Sequence, residues 1–258
     1  MPSAALIVLA TLLSGCELMI DRLVFYPDPH VGEPPPGVTV RWLTTADGVR
    51  LHAWYARHAE TGPSLVWSHG NGGNIDGRGE VLVELASRGM NVLAYDYRGY
   101  GRSEGRPTEN GVYLDAEAAF DSERANGVPP SRIVCFGESL GGAVSIHLAT
   151  RRACAAVAVV STFTSLREIA RVHYGPLGSL AGARFDSRAL LGKIGVPFFA
   201  AHGDEDELVP YTLGEELFAA AREPKRFVRV PGAGHNDVFS YRPLLDAIAE
   251  FVAEHSRG

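Results

Sequence analysis

Short apolar runs alternate with helical segments from residue 64 to the end of the chain, and this alternation restricts the fold more than any other feature. The runs are Ser64 to Ser68, Val92 to Tyr95, Ile133 to Phe136, Ala156 to Val160, Val196 to Ala201 and Phe227 to Val230. Runs so short and so continuously apolar predict strands covered on both faces. Between them lie helical patterns ending at Arg88, over Asn110 to Asn126 (with Gly127 as stop), over Leu140 to Arg151 and over Thr212 to Arg222, with a last one over Arg242 to Glu254. Each is long enough for a crossover, so the pattern implies an α/β fold with a mostly parallel sheet flanked by helices. Two further strands, Val38 to Thr44 and Val49 to Arg57, flank the turn signal Asp47-Gly48 and bring the expected sheet to eight strands.

One stretch breaks the rhythm. About 28 residues, from Leu166 to Lys193, separate two strands. Inserts of that length in a compact domain usually bind or cover something, and this one is expected to form a short cap. With 258 residues, 46% of them hydrophobic, the chain suits a single domain. Its net charge of −6 leaves no basic footprint for nucleic acid.

The three cysteines lack zinc-site spacing, so no metal is expected. Cys135 and Cys154 sit in or beside apolar runs and read as buried free thiols. Cys16 differs. It closes Leu13-Ser14-Gly15-Cys16 after the apolar stretch Ala4 to Leu13, which is short for a membrane span. This resembles a bacterial lipobox, although Met1-Pro2-Ser3 carries no Lys or Arg. The resemblance implies a signal peptide over 1–16, lipidation of Cys16 and a lipid-anchored protein of the bacterial cell envelope. The alternative is a short uncleaved apolar tail or signal anchor. A proline-rich lead-in over 17–37 then precedes a domain over 38–258, with the cap at about 166–193.

Gly137-Glu138-Ser139-Leu140-Gly141 lies between a predicted strand and a predicted helix. A serine on such a turn projects above the sheet edge, where its hydroxyl can act as a nucleophile. A hydroxyl needs a base, and the base needs an orienting acid. His235, in the small-residue loop Gly232-Ala233-Gly234-His235, is the candidate base. Asp206, in the loop after Val196 to Ala201, is the candidate acid, with Asp204 as runner-up. His202 precedes the acid and reads as structural, and Glu205 and Glu207 are expected to face solvent. Two backbone N–H groups are expected to face a developing oxyanion. They are those of Leu140 and of Asn71 in the glycine-rich loop His69-Gly70-Asn71-Gly72-Gly73.

These residues, with Asp96-Tyr97-Arg98-Gly99-Tyr100-Gly101-Arg102-Ser103 as a family marker, resemble the α/β-hydrolase superfamily over roughly Val38 to Ala253. Within it they resemble the acyl-protein thioesterases and the prolyl-oligopeptidase-like hydrolase-domain proteins. The resemblance implies a serine hydrolase that cleaves carboxylic esters or thioesters through an acyl-enzyme, with no cofactor. Its expected partners are an acylated or small-molecule substrate and a membrane surface. A peptidase of the same fold and a catalytically silent surface adaptor are the alternatives. The Asp96 to Ser103 run reads as a loop fixing the floor of the site.

Overall fold

The computed structural model describes residue 21 and residues 24–256; Cys16 and the apolar stretch before it lie outside the described residues. Eight strands form one sheet: β1 (Val38–Thr44), β2 (Arg50–Ala56), β3 (Ser64–Ser68), β4 (Asn91–Tyr95), β5 (Ile133–Glu138), β6 (Ala156–Val160), β7 (Phe198–Gly203) and β8 (Lys225–Val230). Their spatial order is β1-β2-β4-β3-β5-β6-β7-β8. The β1–β2 and β2–β4 pairs are antiparallel, and every other pair is parallel. The sequence reading of an eight-stranded, mostly parallel sheet is therefore correct.

The helices are α1 (Gly79–Ser87), α2 (Glu109–Ala125), α3 (Leu140–Arg151), α4 (Leu166–Tyr174), α5 (Ser187–Leu191), α6 (Tyr211–Ala220) and α7 (Arg242–His255). Leu82 and Leu85 of α1 and Leu244, Ile248 and Phe251 of α7 pack in one core on one face of the sheet. Val112 and Phe120 of α2, Val144 of α3 and Leu213 of α6 pack in a second core on the other face. The strands between are covered twice, which is why they read as unbroken apolar runs. Every residue of β3 is buried, and each large apolar side chain enclosed there contributes about 1.5–3 kcal/mol.

Element ends differ from the sequence reading in ways the sheet explains. β5 runs two residues past Phe136, because Gly137 and Glu138 pair with Val159 and Val160. β7 starts after Val196-Pro197, since Pro197 has no N–H for the ladder, and it continues to Gly203 opposite Val230. The insert holds α4, a 3₁₀ turn over Gly175–Ala181 and α5.

The largest difference concerns the proline-rich lead-in, which is fastened to the domain as a strap. Phe25 is buried and meets the Phe185 ring edge-on at 6.2 Å. Tyr26 and Pro27 pair in parallel with Gly72 and Gly73. Asn74 donates from its side-chain amide to the Asp28 and His30 carbonyls at 3.0 and 2.7 Å. Two-residue pairing and side-chain-to-backbone bonds leave no periodic signal in a sequence.

Candidate active site

Ser139 stands between β5 and α3 with φ 52° and ψ −118°. This is a conformation that L-residues adopt only under strain of about 1–3 kcal/mol. Neighbouring groups hold it there. The Ser139 N–H donates to the Val160 carbonyl at 2.9 Å, and Thr162 Oγ1 donates to the Ser139 carbonyl at 2.7 Å. The flanking glycines are required by space. A Cβ on Gly137 would lie 2.1 Å from the Gly141 carbonyl oxygen, and one on Gly141 would lie 1.9 Å from that of Ser68. The turn thus closes on the end of β3, and no side chain fits between.

Three predicted residues come together in one hydrogen-bonded line. Ser139 Oγ lies 3.0 Å from His235 Nε2, and His235 Nδ1 lies 2.7 Å from Asp206 Oδ2. The other Asp206 oxygen accepts the N–H groups of Leu208 at 3.0 Å and Val209 at 2.7 Å. Burial alone would raise the Asp206 carboxyl. The bonds from His202 and His235, the charge of His235 and the Val209 N–H outweigh it and hold the group below the usual carboxylate range. An ionised carboxylate only accepts, so His235 carries its proton on Nδ1 and offers a free Nε2 lone pair to the Ser139 hydroxyl.

His202 was read as structural, and its buried ring lies against Asp206. Its Nε2 lies 2.8 Å from the Val209 carbonyl and 3.3 Å from Asp206 Oδ2. Asp204 is occupied elsewhere. It accepts the Gly232 N–H and pairs with Arg229, which ties the acid loop to the loop carrying His235. Glu205 and Glu207 are exposed.

Leu140 opens α3, so its N–H has no partner within the helix. Asn71 lies in the loop after β3. Its side chain turns away to the strap, donating to the Val24 carbonyl and accepting from the Tyr26 N–H and, at 2.8 Å, the Tyr100 hydroxyl. The Asp96 to Ser103 run lies against that loop, where the Tyr97 hydroxyl donates to the His69 carbonyl and the Tyr100 hydroxyl to Asn71. Asp96 accepts the Ile75 N–H, and Ser103 Oγ donates to the Asp96 carbonyl.

His69 is wholly buried, and its Nδ1 lies 2.7 Å from the Gly70 carbonyl, so it donates there and fixes the loop. Burial, helped by the Arg78 charge, pushes this imidazole down to about 3. An NMR titration from pH 8 to 4 is expected to leave the His69 ring signals unmoved, whereas an exposed histidine titrates near 6.5. A midpoint above pH 5 would contradict this burial.

Two residues of the site escaped sequence reasoning. Arg78 pairs with Glu138, the residue before the serine, at 3.0 Å. It also donates to the Gly72 and Asn74 carbonyls at 2.9 and 3.1 Å. Sixty residues separate Arg78 from Glu138, and nothing local marks either one. Both line an open cleft of about 1000 Å³ that reaches His235 and is continued by Gly72, Gly73 and Phe239.

Comparison with known proteins points to one family and one fold. Residues 59–188 match the family described as "Serine aminopeptidase, S33". The chain is 40% identical over 262 residues to the uncharacterized protein Rv2307c of Mycobacterium tuberculosis, covering 96% of this chain and 93% of that one. It is 33% identical over 213 residues to α/β hydrolase domain-containing protein 17B of Homo sapiens, covering 81% and 73%. An esterase of Pyrococcus furiosus shares the fold, with a TM-score of 0.75 at 18% identity over 91% of this chain and 98% of that structure. Sheet order, strained turn and sequence relatives together place the chain in the α/β-hydrolase family, and its activity is that of a hydrolase.

Proposed function

We propose that this hydrolase cleaves carboxylic ester or thioester bonds through an acyl-enzyme on Ser139. The observation that carries the reading is the unbroken line from Ser139 Oγ through His235 to Asp206. Ser139 attacks the substrate carbonyl carbon while His235 Nε2 takes its proton. The N–H groups of Leu140 and Asn71 stabilise the oxyanion. His235 then returns the proton to the departing alcohol or thiol. Water, deprotonated by the same ring, releases the acid and restores Ser139. Asp206 holds the imidazole tautomer throughout.

The family description names an aminopeptidase, which makes amide cleavage the second reading. A panel of p-nitrophenyl esters, acyl thioesters and peptide anilides separates the two. Turnover of esters or thioesters with the anilides untouched is expected. Preference for anilides would replace this reading with the peptidase, and no turnover or probe labelling at all would leave the silent adaptor.

For the leader, the reading is cleavage before Cys16 and lipidation of its thiol, which would hold the enzyme at a membrane of the cell envelope. It is supported by the sequence Leu13-Ser14-Gly15-Cys16. The mass of the mature N-terminal peptide decides it, and an unmodified Cys16 would remove the anchor.

A further inference from the structure

Nine large apolar side chains stand exposed among the described residues, and five of them, Tyr26, Val172, Tyr174, Leu177 and Leu208, lie on the strap, the insert and the loop that carries Asp206. Tyr26 pairs with Gly72 in the loop after β3. Leu208 lies two residues past Asp206. Val172 and Tyr174 end α4, and Leu177 follows in the 3₁₀ turn. The His173 ring nitrogen Nε2 lies 2.8 Å from the Leu208 carbonyl, which joins the end of α4 to the acid loop. Tyr174 and Leu177 are 72% and 71% exposed.

The charge of the insert that carries three of these side chains is opposite to that of the chain. Between residues 166 and 193 lie five basic and two acidic side chains, in a protein of net charge −6. Arg167 and Arg171 of α4 are exposed beside the apolar group. Exposed apolar side chains with adjacent cations suit the headgroup region of an anionic bilayer.

The course of the N-terminus points the same way. Asp21 pairs with Arg184 at the far end of the insert. Phe25 packs on Phe185. Cys16 precedes Asp21 by five residues, a span of at most roughly 17 Å of extended chain. A lipid on Cys16 would therefore hold the insert within that distance of the membrane.

We propose that Tyr26, Val172, Tyr174, Leu177 and Leu208 form a docking rim for an anionic phospholipid bilayer, so that the opening over Ser139 faces the membrane from which its acyl substrate comes. This rests on the lipid-anchored hydrolase reading. It adds an orientation and a substrate source that anchoring alone leaves open.

Two measurements on the full chain test it. In a Leu177→Trp variant, brominated phosphatidylglycerol in vesicles is expected to quench the introduced indole. Wild-type emission should change little, because Trp54 and Trp67 are buried and Trp42 lies on β1 at the sheet edge. In a Tyr174→Ser, Leu177→Ser double variant, hydrolysis of a long-chain ester embedded in phosphatidylglycerol vesicles is expected to fall about tenfold. Hydrolysis of a soluble butyrate ester should stay at the wild-type rate. The proposal is overturned by absent quenching, by equal quenching in phosphatidylcholine, by equal losses on both esters, or by self-association that the double variant abolishes. Quenching needs no turnover, so it stands apart from any failure of the hydrolase reading.

Discussion

Replacing His235 with alanine is expected to lower kcat on an ester substrate roughly a million-fold, the scale seen when the base of such a triad is removed. Thermal stability should stay close to wild type, because the His235 side chain lies in a partly open loop and, among the described residues, hydrogen-bonds Ser139 and Asp206 alone. Asp206→Asn is expected to cost roughly 10⁴-fold, and the structure gives the reason. The N–H groups of Leu208 and Val209 need an acceptor at Oδ1 and would hold the amide oxygen there. The amide NH₂ would then face His235 Nδ1. The ring would have to accept on Nδ1 and carry its proton on Nε2, and such a ring cannot take the proton of Ser139. Steady-state rates with melting curves of both variants check this. An Asp206→Asn variant within tenfold of wild type would contradict the assigned acid.

The second large effect is structural. Gly141→Ala places a methyl 1.9 Å from the Ser68 carbonyl oxygen and 2.6 Å from that of His69. Both are backbone atoms at the end of the central strand β3, and neither has room to retreat. Overpacking against a fixed backbone costs about 3 kcal/mol or more, which lowers the melting temperature by roughly 10 °C in a chain of this size. Reactivity should fall with it, since the same shift moves the loop carrying Asn71. Gly192→Ala is the control. Nothing lies within 4 Å of its added methyl, and its backbone is already helical. Equal melting temperatures for the two variants would contradict the tight closure of the turn.

What the sequence revealed, and what it hid, follows from the range of each interaction. Val134, Val157 and Phe199 each sit in a short apolar run because their strands are covered on both sides, so the sheet was legible. Ser139 was legible because its strained turn demands small neighbours within two residues. The meeting of Asp206 and His235 with Ser139 was legible from their loops and from chain order. The strap was not legible. Tyr26 meets Gly72 across 46 residues through backbone bonds that any side chain could make. Arg78 and Glu138 were missed for a related reason, since a pair of opposite charges 60 residues apart looks like two solvated side chains. The bond from His202 to Asp206 spans only four residues, but it depends on how the loop folds back after β7. Asn71 shows the limit from the other side. Its place in the loop after β3 was legible, whereas the turn of its side chain toward Tyr100 and the strap was not.

The central claim is that Ser139 is the nucleophile, and the most direct test is to find the bond it forms. Wild-type protein is treated with a fluorophosphonate, digested and mapped by tandem mass spectrometry. The account predicts one adduct per chain, on the Oγ of Ser139 in the peptide containing Gly137-Glu138-Ser139-Leu140-Gly141. No adduct should form on Ser139→Ala, and formation should be greatly slowed on His235→Ala. An adduct on another residue, or labelling that persists in Ser139→Ala, would contradict it.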